Sequence, residues 1–261
     1  MIELLEHPLS PYAQKVKIAL VEKGVAFTVQ TPNAIGSGVT PDDFRAVSPR
    51  GEVPVLFVDG QSLFDSTIIL EFIEDRFPTP VLLPAAPLAR ARARMIEEVC
   101  DTHYEAINWG LSEITWFRRA EGELEATLRA AAAAQIGRLN VWLEKQLGDE
   151  DWLNGETFGW ADLSAVPYVQ GAAGFGLGPA AGSRLDAWLT RARARPSVSA
   201  AFEAARDAVK AMTAVAGIVD AGLFKRQYRD HRLEWMIRSG GIDVVLKGLE
   251  RGNIRFNDEP V

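Results

Sequence analysis

Hydrophobic positions in the first third of the chain switch repeatedly between two spacings, and each switch falls at a Pro-, Gly- or Ser-containing break. Ile2 to Leu5 form a short apolar run ending at His7-Pro8, a strand and a turn. From Pro11 the residues Tyr12, Val16, Ala19 and Leu20 recur at helical spacing until Gly24. Val25 to Val29 alternates as a second strand would, and a loop rich in Pro, Gly, Ser and Asn (Thr31 to Thr40) leads to a short helix around Asp42 to Val47. Val53 to Val58 and Gln61 to Phe64 flank Asp59-Gly60, a strong signal for a tight hairpin, so these strands are antiparallel neighbours. Beyond Ser66, the residues Ile68, Ile69, Phe72, Ile73 and Phe77 share one helical face that stops before Pro78. The predicted order is βαβ, a short helix, then ββα, with both faces of a mixed sheet covered.

The pattern then changes. Pro78, Pro80, Pro84 and Pro87 punctuate a stiff connector. The segments Leu88 to Arg119, Glu121 to Leu147, Trp160 to about Gln170, Ser183 to Arg193 and Ser197 to Met212 are rich in Ala, Leu, Glu and Arg without strand patterning, predicting an all-helical second domain. The expected layout is an α/β domain over 1–79, a linker over 80–87, a helical domain over 88–212 and a helical extension over 213–261. In the extension, Phe224, Tyr228, His231 and Trp235 form a stripe among Lys225, Arg226, Arg229, Arg232 and Arg238. That pattern suits an amphipathic helix packed on the helical domain, or a basic patch that holds an anionic substrate or closes over the site.

Composition narrows the function classes. A formal net charge of -7 and a pI near 5.2 argue against a polyanion binder, which needs surplus Lys and Arg, so no nucleic-acid partner is expected. With a single cysteine, Cys100, and three histidines, there is no disulfide within the chain and no zinc-like spacing, and no metal is expected. Charges or turn residues interrupt every apolar run, so neither a membrane span nor a leader segment is expected and a cytoplasmic protein is. Gly171, Gly174, Gly176 and Gly178 follow no strand and precede no Lys-Ser or Lys-Thr pair, which makes them a helix end and loop rather than a phosphate loop. His7, His103 and His231 lack a nucleophile elbow, so no hydrolase triad is supported.

Over about its first 210 residues the chain resembles the cytosolic glutathione transferase superfamily: a thioredoxin-like domain, a proline-rich linker and a helical domain. Four motifs carry the resemblance. The run Ser10-Pro11-Tyr12-Ala13-Gln14-Lys15-Val16 is similar to the strand-to-helix turn that holds the catalytic residue, Val53-Pro54 to the cis-proline strand, Asp65-Ser66 to the acidic-serine pair, and Phe158-Gly159-Trp160-Ala161-Asp162 to the helix start of the second domain. The Ser-Pro-Tyr turn resembles the tau class, and the Phe-Gly-Trp-Ala-Asp segment resembles omega-like bacterial enzymes that use cysteine. Together they imply a bacterial, Ser-type member, and serine at position 10 favours conjugation over thiol exchange.

What the resemblance implies has a chemical rationale. Glutathione's thiol, with a free pKa of roughly 8.5, is mostly protonated at neutral pH, and only its thiolate is a good nucleophile. Ser10 before Pro11 is an ordinary helix cap by itself; the resemblance makes its hydroxyl, with the helix dipole, the catalytic donor to the sulfur. The resemblance further assigns Val53 and Pro54 to the cysteinyl backbone of glutathione and Asp65 and Ser66 to its γ-glutamyl end. Arg45 or Arg50, left undecided, would take its glycyl carboxylate. A hydrophobic electrophile would occupy a pocket lined by Tyr12, Tyr104, Trp109, Trp116 and Phe117. Asp162 is read as a helix-capping residue and Cys100 as a buried hydrophobe.

The implied activity is glutathione transfer, with glutathione as co-substrate, a detoxifying role and a homodimer as the assembly. Two alternatives stand beside it. One is a specialised bacterial enzyme that cleaves ethers, dehalogenates or isomerises with glutathione; the other is a non-catalytic member that binds ligands or proteins.

Overall fold

The strands β1 (Ile2–Leu5), β2 (Thr28–Gln30), β3 (Val55–Val58) and β4 (Gln61–Phe64) alternate with α1 (Pro11–Glu22), α2 (Asp42–Val47) and α3 (Ser66–Arg76) in a computed structural model that describes residues 1–33, 41–212, 228 and 231–253. The sheet order is β2-β1-β3-β4, with β1 parallel to β2 and antiparallel to β3, and β3 antiparallel to β4. At the hairpin Asp59 and Gly60 have φ of 50° and 85°, the paired left-handed geometry whose twist matches that of the flanking strands.

Alternation along β1 and β3 sorts side chains onto two layers. Leu4 and Leu56 face α1 and α3 and join Val16, Leu20, Ile69 and Ile73, whereas Leu5 and Val55 turn to the other face and meet Phe44 of α2. Both faces are covered, as the patterning implies. The second strand starts later than its apolar alternation suggests, because its register on β1 begins at Glu3 opposite Thr28, and Val25 and Phe27 pack against the core ahead of it.

All remaining elements among the described residues are helical: α4 (Pro87–Val99), a π-helical turn (Cys100–Tyr104), α5 (Glu105–Thr115), α6 (Gly122–Leu147), α7 (Trp160–Gly174), α8 (Arg184–Arg193), α9 (Pro196–Ala211), α10 (His231–Arg238) and α11 (Ile242–Glu250). The fold is thus a thioredoxin-like unit followed by a helical one. The single helix expected over Leu88 to Arg119 is divided by the π-helical turn and ends at Thr115, where Phe117 N–H bonds the Ser112 carbonyl and Arg118 adopts a φ of 52°. α7, apolar on all sides, runs through the centre of this unit, as such a helix must. Of the stripe expected in the extension, Phe224, Lys225, Arg226 and Arg229 lie outside the described residues, and α10 exposes Leu233, Trp235 and Ile237. No helix among the described residues is long and apolar enough to cross a membrane.

Asp162 holds the start of α7. Its carboxylate accepts from Gly159 N–H (3.0 Å), Leu153 N–H (2.8 Å), Asn154 N–H (3.2 Å) and Trp188 Nε1 (2.7 Å). Gly159 replaces the hydroxyl residue of a full reciprocal cap because a Cβ there would fall 2.1 Å from Asn154 Nδ2 and 2.4 Å from the Leu82 carbonyl. Burial pushes the Asp162 carboxyl up to about 6 against the pull of its four donors.

Polar clusters at both ends of α1 help join the units. Lys15 of α1 is fully buried and donates to Glu97 Oε1 and Asp101 Oδ2, both at 2.6 Å. Thr67 and Trp160 also donate to Glu97, and Tyr168 donates to Asp101, so each carboxylate is satisfied. Burial alone lowers a lysine's pKa, but Asp101 and Glu97 outweigh it and hold the Lys15 ammonium above its usual range. At the far end of α1, Glu22 receives Arg195 at 3.0 and 2.6 Å and the hydroxyl of Ser197.

Candidate active site

A cavity of about 1050 Å³ opens between the thioredoxin-like unit and the helices. Ser10, Tyr12 and Val53 line it from the first unit; Trp109, Trp116, Phe117, Phe175, Phe202 and Met212 line it from α5, its C-terminal turn, the end of α7, and α9 with its C-cap. Its scale and apolar, aromatic wall suit a small organic molecule.

Ser10 is the N-cap of α1 in an extended conformation, and its Oγ accepts from Ala13 N–H at 3.3 Å. Among the described residues its own proton has no acceptor, so the hydroxyl remains a donor. Pro11 at the first helical position withholds an N–H that would be orphaned in any case, and no acidic residue occupies the first turn, so the positive end of the helix is not neutralised locally. Gln14 Nε2 ties the preceding turn by donating to the Pro8 carbonyl at 2.7 Å. His7, whose Nδ1 accepts from Leu9 N–H, is half-buried, and desolvation lowers its pKa although Glu6 opposes this.

The Val53-Pro54 bond is cis, as the resemblance implies. Among the described residues neither the N–H nor the C=O of Val53 has a hydrogen-bond partner, and Val53 lines the cavity just before β3 begins. A backbone edge of this kind can accept one more extended segment.

A second cluster lies outside the cavity lining. Asp65 caps α3 at φ 76°, an unusual conformation for a non-glycine residue, and its Oδ1 accepts from Thr67 N–H at 3.1 Å and Ile68 N–H at 3.4 Å. Arg50 reaches Asp65 Oδ2 at 3.4 Å, whereas Arg45 is exposed on α2. Ser66 is buried at the first residue of α3.

Four of the five aromatic residues expected in the pocket line it: Tyr12, Trp109, Trp116 and Phe117. Tyr104 does not. It sits on the π-helical turn at zero exposure with its hydroxyl on Asn140 Oδ1 at 2.8 Å, on the same buried face as Cys100 and Leu111. Tyr12 donates to the Asp101 carbonyl at 2.6 Å and meets Tyr168 edge-on. Trp116 packs against Phe175, which lies in the glycine-rich run set aside on sequence grounds. Phe202, Arg193 and Arg206 also escape the sequence reading, though the apolar spacing of Val198, Ala201 and Phe202 marks the inner face of α9. From the extension, Tyr228 places its ring 4.5 Å from that of Trp109 and its hydroxyl 3.5 Å from Glu113 Oε2, so this residue reaches the cavity wall. Cys100 is fully buried, and burial pushes its thiol well up, so it is no nucleophile at neutral pH. No group of His, Cys, Asp or Glu among the described residues could hold a metal ion.

Residues 4–81 match the family model "Glutathione S-transferase, N-terminal domain" and residues 104–196 match "Glutathione S-transferase, C-terminal domain". The chain is 32% identical over 212 residues to a maleylacetoacetate isomerase of Pseudomonas aeruginosa, covering 79% of this chain and 95% of the relative. Among solved structures it is similar to a glutathione S-transferase from Rhodospirillum rubrum F11, with a TM-score of 0.68 and 26% identity over 77% of this chain and 91% of that one. A rice GST1 structure in complex with glutathione is similar at a TM-score of 0.66 and 26% identity, covering 81% of this chain and 96% of the rice chain.

Proposed function

We propose, for a chain that belongs to the cytosolic glutathione transferase superfamily and is a glutathione transferase, that Ser10 activates bound glutathione as thiolate for attack on a hydrophobic electrophile in the adjoining cavity. The observation that carries this is the free donor capacity of the Ser10 hydroxyl at an uncompensated helix N-terminus, on the wall of an aromatic cavity. An anion beside Ser10 gains a hydroxyl donor and the helix's positive end, which together lower the thiol pKa without a general base. The thiolate then adds to an electrophilic carbon held against Trp109, Trp116 and Phe117, and proximity supplies much of the remaining rate.

In this reading the unpaired N–H and C=O of Val53, ahead of Pro54, hold the cysteinyl backbone. Asp65 serves the γ-glutamyl ammonium, Ser66 and nearby amides its carboxylate, and Arg45 or Arg50 the glycyl carboxylate. A homodimer, a cytoplasmic location and a detoxifying role belong to the same proposal, as do the unit boundaries at 79, 87 and 212. The likeness to a maleylacetoacetate isomerase favours, as a second reading, a glutathione-dependent isomerising reaction at the same cavity.

Ultraviolet absorbance of the thiolate, followed across pH with glutathione bound, tests the proposal. Wild type is expected to form thiolate well below the free pKa and Ser10→Ala to lose it while still binding glutathione. Thiolate that persists unchanged in the variant moves activation elsewhere, first to Tyr12.

A further inference from the structure

Arg191, Arg193 and Arg195 alternate from the last turn of α8 into the start of α9, and helical residues two apart point to opposite sides. Arg191 pairs with Asp151, its Nη2 3.2 Å from Oδ1, and Arg195 pairs with both oxygens of Glu22. Arg193, between them, lines the cavity. Its Nε donates to Gln170 Oε1 at 2.6 Å, and among the described residues it meets no anion. Arg206 of α9 lines the same cavity, and its contact with Glu203 is long, 3.8 Å between two largely exposed side chains.

These two guanidinium groups are the positive charges of the described lining. His7 is the other basic residue there and is neutral near pH 7, because burial lowers its pKa. Among the described residues, the lining carboxylates Glu52 and Glu105 form no ion pair with Arg193 or Arg206. A guanidinium anchored through Nε by a neutral amide keeps its two Nη groups free, the fork that matches a planar carboxylate. Apolar Phe175 and Phe202 share the cavity with it.

We infer that Arg193, with Arg206 on the same cavity, forms an anion subsite that selects co-substrates in which a carboxylate is attached to an apolar, electrophilic body. The inference rests on the transferase reading of that cavity and names its substrate class.

The test compares 4-chloro-3-nitrobenzoate with its neutral carboxamide. In each, the glutathione thiolate attacks the chlorine-bearing ring carbon, the C–S bond forms, the C–Cl bond breaks and chloride leaves with the electron pair. Wild type is expected to prefer the carboxylate roughly tenfold in kcat/KM, mainly through KM, the size expected of one charge-assisted pair in a partly hydrated site. Arg193→Gln is expected to bring the ratio near parity, and Arg193→Lys to restore part of it. Because the readout is a ratio on one enzyme, a general loss of folding or activity cancels. Parity in wild type, or a preference that survives Arg193→Gln, overturns the inference. Equilibrium binding of both compounds without glutathione, read by tryptophan quenching, separates the two proposals. Carboxylate-selective binding lost in Arg193→Gln, with neither compound turned over, supports the subsite and sinks the transferase reading. Turnover of both without preference sinks the subsite alone.

Discussion

Ser10 and Val53 reach the cavity through the local geometry of a turn and a strand edge, whereas Trp109, Phe175, Phe202 and Arg193 reach it only because α5, α7, α8 and α9 pack together. The first wall offers backbone groups, a cap hydroxyl and a helix dipole, which suit a ligand of fixed chemistry. The second offers side chains whose replacement leaves the backbone in place, so it can change its ligand without rebuilding the fold. Chemistry and specificity should therefore come apart under mutation.

The sharpest way to break that division is Ser10→Ala. If the first wall acts on the thiol alone, kcat/KM falls by about 10²–10³ for every electrophile, the cost of one preorganised donor. Steady-state kinetics across aryl halides, epoxides and aryl ethers checks it; a loss confined to one electrophile would place Ser10 in substrate selection.

Next in size is the seam that holds the walls in register. Lys15→Met leaves Glu97 and Asp101 buried without their cation, and removal of one partner from such a site costs about 3–5 kcal/mol. For a chain of this size a fall in Tm of about 6–20 °C follows. Calorimetry checks it, and a shift of only a degree or two would mean that water or protonation of a carboxylate compensates.

Gly174 tests the second wall. It lines the cavity at the last residue of α7, and a Cβ there meets nothing within 4 Å, so Gly174→Leu starts its side chain in open space on the cavity wall. KM for bulky electrophiles should rise about tenfold while glutathione affinity stays within about twofold. An equal loss for glutathione would join the two walls into one site.

The smallest effect is expected at Glu22. Burial pushes its carboxyl up, but hydrogen bonds from Arg195 and Ser197 and the charge of Arg195 outweigh this and hold it below the ordinary 4.5. A depressed carboxyl stabilises the fold above its unfolded value and loses that contribution as pH falls through the folded one. Wild type should exceed Glu22→Gln by about 1 kcal/mol at pH 7, after discounting a partly exposed pair for solvent screening, and the gap should close below about pH 4.5. Urea unfolding at several pH values checks both sign and size.

Much of the first wall was legible from local patterns. The order of strands and helices implied a sheet covered on both faces, Asp59-Gly60 gave the hairpin, and Ser10-Pro11 marked the start of α1. The second strand began later than its alternation implied, because pairing with β1 rather than apolar spacing set its start. The second wall was less legible. Helical spacing identified aromatic candidates on one long helix, but Tyr104 falls on the face that packs into the core rather than on the cavity wall. Phe175 stands in a glycine-rich run that reads only as a helix end and loop, and no pattern distinguishes Arg193 from Arg191 and Arg195.

The sequence by itself determined the order and type of the elements, the capping residues and the family, since these depend on interactions within a few residues or on motifs of fixed spacing. Tertiary structure alone decided which aromatic side chains face the cavity, which carboxylates bury against Lys15 and which of Arg191, Arg193 and Arg195 meets no anion among the described residues. Those outcomes depend on helices from distant parts of the chain meeting at angles set by packing, and no local pattern carries that angle.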